Sequence, residues 1–237
     1  MIDLERIQTL FASQQLELTR QQAQQLDQFA QLLVDWNQRM NLTAITDPEE
    51  ILIKHFLDSV LPFSFLDLPQ GCRLIDVGTG AGFPAVPLCI WRPDLQATLL
   101  DSLNKRPVFL QEVLPACGVR AVLVHSRAED GGHRADLREQ FDVATARAVA
   151  NLRDLAEYCL PFVKPGGLFC ALKGGDADAE LADAQAAIRL LGGRVSQSRT
   201  YSLPDGSART LICMEKISQT PTKYPRSPAK MAKSPLR

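Results

Sequence analysis

Histidine is scarce in this chain: three residues in 237, none at metal-ligand spacing, which argues against a zinc site. There is no C-x-x-C pair either. The six cysteines (Cys72, Cys89, Cys117, Cys159, Cys170 and Cys213) lie scattered, most of them in apolar runs, as buried free thiols of a reducing compartment would. No apolar run approaches the roughly 20 residues of a membrane-spanning helix. Residues 1–20 mix acids, glutamines and leucines and do not read as a secretory signal. The formal net charge is -1, so no global basic field announces nucleic acid. The expectation is a cytoplasmic protein without membrane contact. At 237 residues and 46% hydrophobic content it suits one large domain, or a domain with a small extension.

The most informative stretch is Leu74–Phe83, LIDVGTGAGF. Leu74, Ile75 and Val77 read as a parallel strand covered on both faces. Gly78, Gly80 and Gly82 then allow a sharp turn and close backbone approach to a ligand. Pro84 and Pro87 follow in what should be the first helical turn, where a missing N–H does little harm. A dinucleotide fingerprint starting at Gly78 would need its third glycine at position 83, which is Phe83, and no Walker loop occurs. What stands here is acid-x-G-x-G-x-G, from Asp76 to Gly82, similar to the first motif of class I S-adenosylmethionine (SAM) methyltransferases. A second apolar run, Ala97–Leu100, ends in Asp101. Alone that acid would equally suit a helix N-cap; with the glycines it is placed to accept hydrogen bonds from ribose hydroxyls.

Residues 1–68 are expected to form a helical N-terminal extension. Leu26, Phe29, Leu33, Trp36 and Met40 repeat at helical steps, and Gln21, Gln22, Gln24, Gln25, Gln28 and Gln31 mark the other face as solvated. A second helix should begin at Asp47-Pro48-Glu49-Glu50, with Asp47 as N-cap, Pro48 at N1 and Glu50 completing a capping box. Residues 69–217 then alternate strand and helix as an α/β, doubly wound, Rossmann-like domain. Strands are expected at Arg73–Val77, Ala97–Asp101, Ala121–Val124, Phe141–Ala146 and Leu168–Leu172. Helices are expected at Pro84–Trp91, Lys105–Cys117, Leu152–Phe162 and Asp178–Leu191, with Lys164–Gly167 closing the third. Arg194–Tyr201 and Arg209–Lys216 are joined by the short turn Pro204-Asp205-Gly206, so that last pair must be antiparallel. Such a terminal hairpin is characteristic of class I methyltransferase sheets.

In open α/β sheets the ligand lies beyond the carboxyl ends of the strands. Four strand tips there carry candidates: Gly78–Phe83, Asp101, Ala128-Glu129 and Arg147. A group near residue 128 could read an adenine edge, although Glu129 also suits a solvated loop. Arg147 could bond a ligand carboxylate or a phosphate, or form a surface ion pair.

Further segments narrow the reading. Trp36-Asn37, Asn41-Leu42-Thr43, Lys54–Ser59, Asp76–Pro84, Leu99–Ser102 with Lys105-Arg106, Ser126–Glu129, Thr145–Ala148 and the tail Tyr224–Leu236 together resemble the GidB family, bacterial 16S ribosomal RNA guanine-N7 methyltransferases, nearly end to end. The resemblance implies SAM as cofactor and methylation of a guanine N7 in the decoding-region loop of 16S rRNA. It carries SAM contacts onto Gly78, Phe83, Ala128, Glu129 and Arg147; Gly80, Gly82 and Asp101 join them from the loop pattern. The stretch Gly131-Gly132-His133-Arg134 departs locally, like an insertion. Guanine N7 already holds a free lone pair, so no catalytic acid or base is named. Candidates for placing the guanine or its phosphates are Asn41, His55, Arg147 and Lys173. The implied partner is 16S rRNA or the small ribosomal subunit, not DNA or membrane, and a monomer is expected. Residues 218–237 form a tail with Lys and Arg but no acid, compatible with phosphate contact or with a disordered end. A small-molecule methyltransferase and a non-enzymatic SAM- or nucleotide-binding module stay open as alternatives.

Overall fold

The computed structural model describes residues 2–147 and 150–236; Ala148, quoted above with the strand-four motif, lies outside them. The chain opens with helices α1 (Leu4–Ser13) and α2 (Arg20–Asn37). Thr19 and Gln22 close a full capping box at the start of α2. At the second predicted helix start, Asp47 accepts from the Glu50 N–H as expected. The reciprocal half of that box is missing, because the Glu50 carboxylate turns to Lys54. The helix is also composite: α3 (Pro48–Glu50), a π-helical stretch Ile51–Leu57, α4 (Asp58–Val60) and a 3-10 turn Leu61–Phe65.

Strands β1 (Arg73–Val77), β2 (Gln96–Asp101), β3 (Ala121–His125), β4 (Phe141–Arg147), β5 (Val163–Gly174), β6 (Gly193–Ser202) and β7 (Ala208–Lys216) form one sheet in the order β3-β2-β1-β4-β5-β7-β6. The pairs from β3 through β5 are parallel, and β7 runs antiparallel to β5 and β6 as the short turn requires. The helices between strands are α5 (Ala85–Trp91), α6 (Lys105–Ala116), α7 (Ala128–Gly131), α8 (Leu152–Cys159) and α9 (Asp178–Leu190). Two expectations need correcting here. Helix α8 ends at Cys159 and tightens into a 3-10 turn, since Pro161 has no N–H to continue it. Lys164–Gly167, expected to close that helix, lies within β5 at a register break, where Phe141 pairs with Val163 and Val143 with Leu168. A Cβ on Gly167 would sit 2.6 Å from the Asp142 carbonyl, so only glycine fits.

Alternate strand residues face two cores. Leu74, Leu99, Val143, Cys170 and Cys213 pack with α5, α6 and the N-terminal helices. Ile75, Leu100, Ala144, Phe169, Ala171 and Met214 pack with α8 and α9. Two glutamines read as solvated are instead fasteners across the first face. Gln22 donates to the carbonyls of Ile90 and Trp91 at the end of α5, and Gln25 to that of Cys117 at the end of α6. They satisfy carbonyls that a helix end leaves without a partner.

Residues beyond β7 are folded onto the second face and end in helix α10 (Pro228–Lys233). Tyr224 and Leu236 join the core there, and Met231 is buried. Among the described residues no helix is long and apolar enough to cross a membrane.

Candidate active site

The turn after β1 is held by its own hydrogen bonds. Gly78 and Thr79 donate to the Leu100 carbonyl at 2.8 and 3.1 Å, and Gly82 and Phe83 both donate to the Thr79 carbonyl. Gly80 donates to Asp101 Oδ2 at 2.8 Å. These amides are therefore not arrayed as a phosphate cradle, unlike a nucleotide-binding glycine loop. The site suits a cofactor whose reactive end carries no phosphate. Gly78, Gly80 and Gly82 have φ of 75°, 58° and 93°, which L side chains rarely adopt. They differ in surroundings. A Cβ on Gly82 would meet Val86 Cγ2 at 2.7 Å and Leu110 Cδ2 at 2.9 Å, so that glycine serves helix packing rather than ligand approach. At Gly80 the nearest atom is the mobile end of Arg106, 3.3 Å away.

Asp76 anchors the turn from below. Its Oδ2 accepts from the Thr79 hydroxyl at 2.7 Å and from the Ala85 N–H, while Oδ1 is buried with no partner among the described residues. Burial pushes its pKa up to about 7. Asp101 is nearly buried, and its Oδ1 also accepts from the Leu103 N–H at 2.8 Å. Its first task is thus to shape the loop. Each carboxylate oxygen keeps a lone pair for a ribose hydroxyl.

A cavity of about 270 Å³ opens over these strand tips, lined by Val77, Gly78, Leu100, Ser102, Ala128 and Glu129 among others. It brings together Gly78, Ala128 and Glu129, three of the residues expected to touch the cofactor. Its lining mixes apolar Val77, Leu100, Ala128 and Tyr158 with Ser102, Ser126 and the Arg127–Glu129 ion pair, which suits a flat ring carrying polar edges. Pro228 of α10 also lines it, a contact the sequence did not announce.

A second cavity, of about 330 Å³, is lined by Lys54, His55, Asp58, Arg147, Leu172, Lys173, Gly174, Tyr201 and Arg209. Asp58 accepts from Arg147 at 3.3 Å and from Arg209 at 3.1 Å, so the lining carries four cations, Lys54, Arg147, Lys173 and Arg209, against one carboxylate, with Lys54 and Lys173 also paired to Glu50 and Glu180 beside it. Arg147 also reaches the Lys54 carbonyl, and its Nη2 lies 3.5 Å from His55 Nδ1. A guanidinium only donates, so Nδ1 accepts, and Nε2 carries the proton it gives to Thr43 Oγ1 at 2.8 Å. Burial and the Arg147 charge hold the His55 pKa down to about 4, so the ring is neutral. Phe83 stacks on His55 with centroids 4.5 Å apart. Lys173 ties the two cavities together: it lines the second and donates to the carbonyl of Ala150, which lines the first.

The four candidates for substrate placement do not all converge. His55, Arg147 and Lys173 share the cationic cavity, but Asn41 does not. Asn41 lies in a separate cleft of about 630 Å³ with Arg39, Lys105 and Arg106. Asn37, Thr43 and Asp58 lie in segments that carry the resemblance, but residue order alone assigns none of them a site role. Asn37 accepts from the amides of Leu42 and Thr43, and so sets the loop that holds Thr43 against His55. A buried acid between two arginines far apart in sequence leaves no local pattern to read.

A family model described as rRNA small subunit methyltransferase G, GidB, matches residues 22–209. The chain belongs to the GidB family. It is 50% identical over 218 residues, 91% of each chain, to Ribosomal RNA small subunit methyltransferase G of Alkaliphilus metalliredigens. It is 47% identical over 234 residues, 98% of each chain, to the protein of the same name from Brevibacillus brevis. Among solved structures, TrmN from Thermus thermophilus is similar with a TM-score of 0.52 at 19% identity. That match covers 70% of this chain and 53% of TrmN. A SAM-dependent O-methyltransferase from Thermotoga maritima gives 0.52 at 16% identity, covering 80% of this chain and 73% of that one. At those identities the likeness establishes the fold: the Rossmann-like sheet of the class I methyltransferases, expected from the glycine loop and the terminal hairpin. In this GidB chain the matched segment holds both cavities' β1–β5 residues but stops before α10.

Proposed function

We propose that this protein transfers a methyl group from SAM to N7 of a guanine in the decoding-region loop of 16S rRNA. It is a SAM-dependent methyltransferase, and small-subunit rRNA is the substrate its relatives are named for. The observation that carries the reading is the juxtaposition of a mixed apolar and polar cavity at the strand tips with a cation-lined one across Lys173 and Ala150.

Gly78, Ala128 and Glu129 would hold the adenosine, Asp101 the ribose, and Arg147 the methionine end or a substrate phosphate. The cofactor supplies a methyl on a sulfonium. The protein's part is to align guanine N7 with it and to exclude water, since N7 needs no deprotonation. Lys54, Arg147, Lys173 and Arg209 set a field that receives RNA phosphates. The neutral His55 and the Phe83 ring fix Arg147 in place. Selecting one guanine requires contacts to the surrounding RNA fold, and a stacked target must be extruded at a few kcal/mol.

The test is incubation of 16S rRNA and of small subunits, both from cells lacking this gene, with isotopically labelled SAM, followed by nucleoside mass spectrometry. Label in 7-methylguanosine at one site is the expected result. Transfer to no 16S guanine, free or assembled, would overturn the reading and move a small-molecule acceptor to first place.

A further inference from the structure

We propose that Pro228 is a cofactor-contact residue and that the segment Tyr224–Ser234 is a built wall of the SAM cavity. The inference rests on reading the cavity between Gly78 and Ala128 as the cofactor's. Residues 210 onward lie outside the family model's match, although the alignment with the Brevibacillus brevis relative spans 98% of this chain. Pro228 lines the cavity together with Tyr158, Gly78 and Leu100.

The segment is fastened as a structural part, not laid on as a loose end. Glu157 is 1% exposed; its Oε1 accepts from the Arg226 amide and Nε, both at 2.8 Å, and its Oε2 from Nη2 at 2.7 Å. Glu157, the anchor, directly precedes Tyr158, the cavity wall. Arg138 donates to the carbonyls of Gly132, Tyr224 and Thr220, spanning body and tail. His133 Nε2 lies 2.8 Å from the Pro225 carbonyl. A Cβ on Gly132 would meet Pro225 Cγ at 2.7 Å, so the Pro225 ring needs the glycine to pack this close.

This explains the stretch Gly131-Gly132-His133-Arg134, which departs from the resemblance at sequence level. It is the docking seat of the tail. Helix α7 joins both tasks within four residues: Ala128 and Glu129 face the cavity, and its far end leads into Gly132 and His133. Docking of Tyr224–Ser234 therefore fixes α7, and α7 presents the residues that would read the adenosine. The Pro228 ring adds apolar contact to the same slot.

Binding of S-adenosylhomocysteine measured by calorimetry on the purified full-length chain and its variants tests this. Pro228→Gly should raise Kd about fivefold, and ending the chain after Ser227 should raise it by about tenfold or more. Thermal unfolding without ligand shows whether the shortened chain still folds; if it does not, Pro228→Gly carries the test alone. Ala128→Trp, which fills the cavity, reports on the cavity itself. If Pro228→Gly and any folded truncation bind within about twofold of the parent while Ala128→Trp loses binding, the cavity is the cofactor's and the wall is refuted. If Ala128→Trp also binds normally, the cavity reading fails and the proposal falls with it.

Discussion

The guanidinium carbon of Arg147 lies 5.0 Å from the centroid of the Phe83 ring. The same ring stacks on His55 and, at 5.1 Å, on Phe29 of α2. One side chain thus joins the glycine turn, the tip of β4 and the N-terminal helices. Position 83 is where a dinucleotide loop would need glycine. Here the aromatic residue stacks against a cation of the second cavity, so the turn that borders the first cavity also shapes the second.

Arg147→Ala should damage both folding and chemistry. It leaves the nearly buried Asp58 with Arg209 alone. Breaking such a pair should lower unfolding free energy by about 3 kcal/mol. Loss of the positioned cation should cut single-turnover methyl transfer by about a hundredfold. Wild-type turnover in a folded Arg147→Ala protein would show that Arg147 has no part in the reaction.

The glycines at 80 and 82 should respond differently to alanine. Both have positive φ, worth about 1 kcal/mol of strain. Gly82→Ala also drives a methyl into Val86 and Leu110, and should lose about 2 kcal/mol more. Gly80→Ala meets only the end of Arg106 and should stay folded with weakened cofactor binding. Urea unfolding separates the two, and equal destabilisation would contradict the packing role assigned to Gly82.

Lys173→Ala removes one cation from the cavity wall and breaks its ion pair with the Glu180 carboxylate, which still accepts from the Leu152 N–H. If RNA phosphate lies there, the slope of log affinity for 16S rRNA against log salt should flatten by about 0.7. An unchanged slope places the phosphates elsewhere, with the cleft of Arg39, Lys105 and Arg106 next in line.

Much of this was readable from residue order. Apolar runs ending in Val77, Asp101 and Ala146 located the strand tips within a residue, because buried parallel strands have few other ways to be written. The glycine turn and terminal hairpin fixed the class of sheet. What escaped was set by contacts distant in sequence. The π-helical stretch Ile51–Leu57 has no composition of its own; it exists where Lys54, His55 and Asp58 must all meet Arg147. Gln22 and Gln25 look like surface until α5 and α6 present bare carbonyls to them. Arg226, read as a phosphate contact in a basic tail, is committed to Glu157, an acid 69 residues away. A charge count along the tail could not see that partner.

Acid should unmask two buried groups of opposite sign. The Asp76 pKa rises from 3.8 to about 7, so its stabilising contribution is complete below 3.8 and is lost as pH climbs through 7. The His55 pKa falls from 6.5 to about 4, so its contribution is complete above 6.5 and is lost as pH drops through 4. At about 1.4 kcal/mol per unit, the two effects are comparable in size and opposed over nearly the same window. Stability of the wild-type protein should therefore change little between about pH 4 and about pH 7 from these groups. Asp76→Asn should make the protein less stable toward acid than wild type, since only the histidine remains. His55→Gln should do the reverse and gain stability toward acid, since only the carboxyl remains. Urea denaturation across that range, read as the difference of each variant from wild type, gives two curves of opposite slope. Parallel curves for wild type and both variants would mean that neither group titrates between those limits in the folded protein.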